Sequence, residues 1–146
     1  MNRLARLFSL PAAERRLLAE AAASLLVARL VLGLLPFRWA LRVFRVSPDG
    51  AVAGGGRIGA SEAEEVGRAI GRAARHVPFR AVCLQQAFAA VQMLRRRGLA
   101  ATVHLGVTRK AVRKDLEAHA WSRCGDVMVT GAGAASDFTA VAAFAA

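Results

Sequence analysis

The sequence predicts an α+β fold: N-terminal helices, then a helix that opens at a cysteine and packs on a small antiparallel sheet. Apolar residues recur at helical spacing over much of the chain before Gly98, and from Thr102 the period drops to two. At the junction of the two regimes, Cys83 opens a helical stretch, and His119 follows in a strand-like one.

The elements follow in order. Ser9-Leu10-Pro11 reads as a helix start, with Pro11 in the first turn, where its missing N–H costs nothing. This helix should run to about Leu35, because Pro36 ends it. Its inner face is expected to carry Leu17, Leu18, Ala21, Leu25, Leu26, Leu30 and Leu34. A second helix, Phe37 to Val46, would bury Trp39, Leu41 and Phe44 and keep Arg38, Arg42 and Arg45 wet. Pro48-Asp49-Gly50 and Gly54-Gly55-Gly56 mark a linker. Ser61 and Glu64 have the spacing of a capping box for a helix reaching about Arg75. The cysteine helix should stop at Gly98 and pack through Leu84, Ala87, Phe88, Val91 and Leu94. Arg95, Arg96 and Arg97 in its last turn meet the negative end of the helix dipole, which accounts for them without a binding site. Strands are expected at Thr102 to Thr108, Ala118 to Cys124 and Val127 to Thr130, the last two joined by a tight turn at Gly125-Asp126. Phe138 to Phe144 is a short strand or helix. The expected division is residues 1–46 helical, 47–60 linker and 61–146 core.

Composition narrows the function classes. At 146 residues and 55% hydrophobic, the chain has enough apolar material for a real core, so global disorder is excluded. Two cysteines do not make a disulfide scaffold, and no zinc-ligand spacing occurs, so neither metal nor cofactor is expected. Leu17 to Leu35 is apolar, but Glu20 and Arg29 interrupt it; it reads as a buried or interfacial helix of a cytoplasmic protein. A net charge of +11 draws attention to nucleic acid and anionic membranes. The arginines are scattered rather than gathered in a stripe, so nucleic acid is set aside and peripheral membrane contact stays open.

Chemistry centres on Cys83 and His119. A thiol at a helix start faces the positive end of the dipole, which favours thiolate, and a histidine on a facing strand can hold its proton. A lone cysteine is more often a small buried hydrophobe.

The string Cys83-Leu84, Leu94-Arg95-Arg96-Arg97-Gly98, Leu105-Gly106-Val107 and Ala118-His119-Ala120-Trp121 closely resembles the transglutaminase-like leader peptidases of lasso-peptide biosynthesis. The resemblance is most specific over residues 79–131. It implies a minimal papain- or transglutaminase-like core and a cysteine peptidase that cuts the leader from a ribosomally made precursor peptide. It also implies two partners. One is a separate leader-recognition protein of the winged-helix type, and the other is an ATP-dependent macrolactam synthetase that closes the freed core.

The expected roles are Cys83 as nucleophile, its backbone N–H as oxyanion donor, and His119 as proton carrier. Trp121 and Gln86 are expected to line the site, with Gln85 a further candidate. The third member is open. The family often has an aspartate near the position of Gly131 or Ala132, and this sequence has none. Asp137 is the candidate, or a backbone carbonyl or water orients the imidazole. Asp126, at the hairpin tip, is about 20 Å from His119 and too far. His104 is expected to face solvent, with the site as the alternative; His76 is a lesser candidate, and Cys124 a bystander. Two other classes remain: a transglutaminase-type acyl transferase with the same Cys–His chemistry, and a non-enzymatic basic helical adaptor.

Overall fold

The computed structural model describes residues 2–48, 57–109, 116–131 and 139–145. It is an α+β fold. Helices α1 (Arg3–Phe8), α2 (Ala12–Leu34), α3 (Phe37–Phe44), α4 (Ala60–Ala74) and α5 (Cys83–Arg96) precede strands β1 (Thr102–Arg109), β2 (Leu116–Cys124), β3 (Val127–Thr130) and β4 (Thr139–Ala145). The sheet has order β3-β2-β1-β4, and every pairing is antiparallel.

Prolines set the helix boundaries. Pro11 and Pro36 stand immediately before α2 and α3, where a fixed φ suits the entry and no N–H is needed. Gly98 adopts φ +68°, and the N–H of Leu99 returns to the Leu94 carbonyl at 3.0 Å, closing α5. The expected capping box at Ser61 does not form. The N-cap is Gly59, and Ser61 lies in the first turn with no side-chain cap bond. The backbone of Arg57 is pinned to Gly98 and Ala100, so the chain turns into the helix ahead of the serine. Glu62 takes the Arg57 guanidinium at 2.9 Å instead.

Helix α5 is the centre of the fold. It lies between α2 and α4 on one side and the sheet, chiefly β2, on the other. Being covered on both sides, it buries Ala89, Ala90 and Met93 as well as Ala87, Phe88, Val91 and Leu94, while the expected Leu84 is only half-buried. One hydrophobic cluster joins α2, α3, α4, α5 and the sheet. Phe88 stacks on Phe44 of α3 at 4.7 Å and meets Phe37 edge-on at 6.2 Å.

The inward face of α2 differs from the expected one. Ala21, Ser24, Leu25 and Ala28 are buried, while Leu26, Leu30 and Leu34 are exposed. A helix apolar on every side carries no phase in its sequence. Small residues at 21, 24 and 28 let α2 approach its neighbours closely, and that packing chooses the face. Trp39 of α3 is also exposed, under the Arg42 guanidinium at 4.8 Å, whereas Phe44 and Ala40 go inward.

The three arginines ending α5 hold the helical layer together. Arg97 grips Glu20 of α2 through two bonds of 2.9 and 2.7 Å, and Arg96 adds a third at 3.4 Å. Arg95 donates to the carbonyl of Phe44, at the end of α3, at 2.7 Å. Arg97 holds the Glu20 carboxyl below its ordinary value, against the opposing effect of burial. Glu20 thus favours folding above the ordinary carboxylate range, and that contribution fades as pH falls through it. Glu20→Ala should cost about 2 kcal/mol at neutral pH, leaving Arg97 half-buried without its carboxylate. Urea unfolding checks it: a midpoint unchanged from wild type would mean the clamp contributes nothing.

Candidate functional site

Cys83 is the first residue of α5, with Val82 as N-cap. Its N–H is among the four that a helix start leaves without an intrahelical acceptor. The helix start is fixed by Gln85, whose Oε1 accepts from the Val82 N–H at 3.4 Å. This is half a capping box, since valine has no side-chain acceptor for the other half. Gln86 donates from Nε2 to the Ala81 carbonyl at 3.0 Å, so its amide is tied to the segment leading into the helix. Gln85 and Gln86 both therefore build the helix entry. The thiol of Cys83 is free of any disulfide and half-buried, packed on the hydrophobic cluster.

His119 lies on β2 opposite Gly106 of β1, so no cross-strand side chain crowds the ring. Its Nε2 is 3.2 Å from the carbonyl oxygen of Gly131, just past β3. A carbonyl only accepts, so Nε2 is the donor in this bond. Gly131 has φ +79°, and a Cβ there would fall 2.8 Å from Trp121 Cβ, 2.9 Å from the Ala120 carbonyl and 3.0 Å from His119 Nε2. The site has room for glycine alone.

Trp121 is buried and forms the centre of a ring stack. Its centroid lies 5.7 Å from that of His104, nearly parallel at 8°, and 6.1 Å from that of His119 at 24°. Trp121 thus packs beside the His119 ring. His104 does not simply face solvent: pairing with Trp121 across the strands puts it half-buried in this stack. Burial, helped by the charge of Arg123, holds its pKa below the ordinary 6.5. The unfolded chain then takes up a proton more readily than the folded one. Stability from His104 is complete above about 6.5 and is lost as pH falls through that value. His104→Gln should therefore unfold with a shallower loss of stability between neutral and mildly acidic pH. Parallel stability-versus-pH curves for the two proteins would contradict this.

Position along the chain brings Cys83 and His119 to one end of the fold. Through the turn at Gly98, α5 and β1 run back on one another. Cys83 is about 20 Å from the end of α5, which corresponds to about six strand residues and the level of Thr108, near the Gly106–His119 pair. Alternation puts Ala120, Ser122 and Cys124 toward the helices and His119, Trp121 and Arg123 on the other face. Strand β3 pairs with β2 from Ser122 to Cys124.

The other candidates separate from this end. Asp126 is fully exposed in the β2–β3 turn, within 4.0 Å of Arg123. Cys124 is fully buried in the core. His76 lies just beyond α4, its N–H bonded to the Ala73 carbonyl at 2.9 Å. Asp137 lies outside the described residues. Two grooves of about 350 and 370 Å³ run between α2 and α4, and none of Cys83, His119 or Trp121 lines them.

No curated protein and no solved structure matches the chain. A family model described as the transglutaminase-like superfamily matches residues 9–143, from the start of the helical layer to β4. With a helix that opens at a cysteine laid on an antiparallel sheet that carries the histidine, this chain belongs to the transglutaminase-like superfamily, which includes cysteine peptidases and acyl transferases and whose members are typically cysteine-dependent enzymes.

Proposed function

We propose that the chain is a cysteine peptidase that removes the leader from a lasso-peptide precursor. The observation that supports the chemistry is the bond from His119 Nε2 to the Gly131 carbonyl, which holds the imidazole on β2. In this reading Cys83 passes its proton to the imidazole of His119. The thiolate attacks the scissile carbonyl, and the oxyanion is met by the Cys83 backbone N–H. The imidazolium then protonates the leaving amine, and a thioester remains on Cys83. Water, deprotonated by His119, attacks the thioester and restores the thiol. The Gly131 carbonyl orients the ring, and Asp137, outside the described residues, is the proposed third member. The lasso-peptide substrate rests on the motif string around Cys83, Gly98, Leu105 and His119. The leader-recognition protein and the macrolactam synthetase rest on the same resemblance, and a cytoplasmic setting on the charges that interrupt Leu17 to Leu35.

The test is cleavage of a precursor peptide, followed by mass spectrometry, with and without a leader-recognition partner. Release of leader and core at one peptide bond, accelerated by the partner, supports the reading. Transfer of the acyl group to an added amine in preference to water would move the chain to the acyl transferases. The geometry has its own check, alkylation of Cys83 by iodoacetamide. The rate should fall several-fold in His119→Ala if the imidazole assists the thiol, and an equal rate in both proteins would count against the pair.

A further inference from the structure

We propose that the outer face of α2 and α3 docks this protein on an anionic lipid surface, independently of the peptidase reading. Leu26, Leu30 and Leu34 follow one another at a spacing of one turn on α2, and Trp39 and Val43 do the same on α3. All are exposed, Leu30 at 50%, Leu34 at 77% and Trp39 at 46%. Scattered apolar residues on a surface are ordinary, but a row of them on each of two consecutive helices is not.

Charge decides the occupant. From Leu25 to Val46 every side chain is either apolar or arginine, and no carboxylate occurs between Glu20 and Asp49. Arg29, Arg38, Arg42 and Arg45 are the cations of the stretch. The segment therefore offers apolar surface and positive donors but no side-chain acceptor. A protein interface ordinarily has a rim of mixed donors and acceptors. Leucines that enter the acyl region, a tryptophan at the headgroup level and arginines on phosphate are the composition of an interfacial helix. Arg42 already lies over the Trp39 ring at 4.8 Å, with its guanidinium beside the ring meant for the headgroup depth.

The helix lies on the surface rather than crossing it. Although α2 is long and apolar enough to span a bilayer, Ala21, Leu25 and Ala28 are fully buried in the protein core. Glu20 is gripped by Arg97. Spanning would expose that core face and break the clamp.

The experiment is co-sedimentation of the full chain with vesicles of phosphatidylcholine, with and without phosphatidylglycerol. Binding to the anionic vesicles should be at least about tenfold tighter and should weaken with added salt. Leu30→Ser combined with Trp39→Ser should lower it about tenfold or more, with circular dichroism unchanged. Leu34→Ser, at the most exposed of these leucines, serves if the double variant unfolds. Arg38→Gln combined with Arg42→Gln should reduce anionic binding about tenfold and leave neutral vesicles unaffected. Equal partition onto both vesicles, or onto neither, overturns the proposal. So does a dimer in sedimentation equilibrium that the leucine variants dissolve, since the face would then belong to a second copy.

Discussion

Cys83→Ala is expected to abolish leader cleavage, by on the order of 10³-fold or more, while the protein stays folded. The thiol is small and only half-buried at the start of α5, so its loss leaves little cavity, about 1 kcal/mol or less. Cys124 is the contrasting case. It is fully buried beneath the β2–β3 turn, where Cys124→Ala should cost about 1–2 kcal/mol and leave turnover near wild type. Cleavage assays and thermal melts on the two variants separate the roles. A Cys83→Ala protein that still releases the core peptide at a near-normal rate would sink the peptidase reading.

Gly131→Asp is expected to lower both stability and turnover. It places a carboxylate at the position where the resembled family often carries one, beside an imidazole that would be stabilised by it. The backbone refuses it. At φ +79° any Cβ is strained, and this one would sit 2.9 Å from the Ala120 carbonyl oxygen and 2.8 Å from Trp121 Cβ. Strain and overpacking together should cost about 2–4 kcal/mol, a fall of roughly 5–15 °C in melting temperature. Turnover should drop as well, because the displaced carbonyl no longer holds His119 Nε2. Gly131→Ala, with no carboxylate, should show the same losses, which identifies the backbone as the cause. A stable and faster Gly131→Asp enzyme would show that the backbone tolerates a side chain at this turn.

Much of this was legible in the sequence because it is local. Pro11 and Pro36 delimit α2, Gly98 closes α5, and Gly125-Asp126 turns β2 into β3, each through backbone preferences that depend on nearest neighbours. The start of α5 at Cys83 and the strand around His119 were readable for the same reason, together with the face shared by His119 and Trp121. Local rules failed where a distant segment competed. Ser61 lost its cap because Arg57 pairs with the chain beside Leu99. The last turn of α5 showed three cations suited to the helix dipole, but not that Arg97 reaches Glu20, 77 residues away in sequence, or that Arg95 reaches Phe44.

Tertiary structure alone decided which side of α2 faces inward. Apolar residues surround the helix, so hydrophobicity gives no preferred rotation, and the close approach allowed by Ala21, Ser24 and Ala28 selects it. The same holds at His119. The sequence determined that no aspartate stands twelve residues beyond it, at position 131. That a carbonyl meets His119 Nε2 followed only once the left-handed turn at Gly131 aimed that oxygen at the ring, because the direction of a backbone dipole is a property of the folded path and not of the residue that carries it.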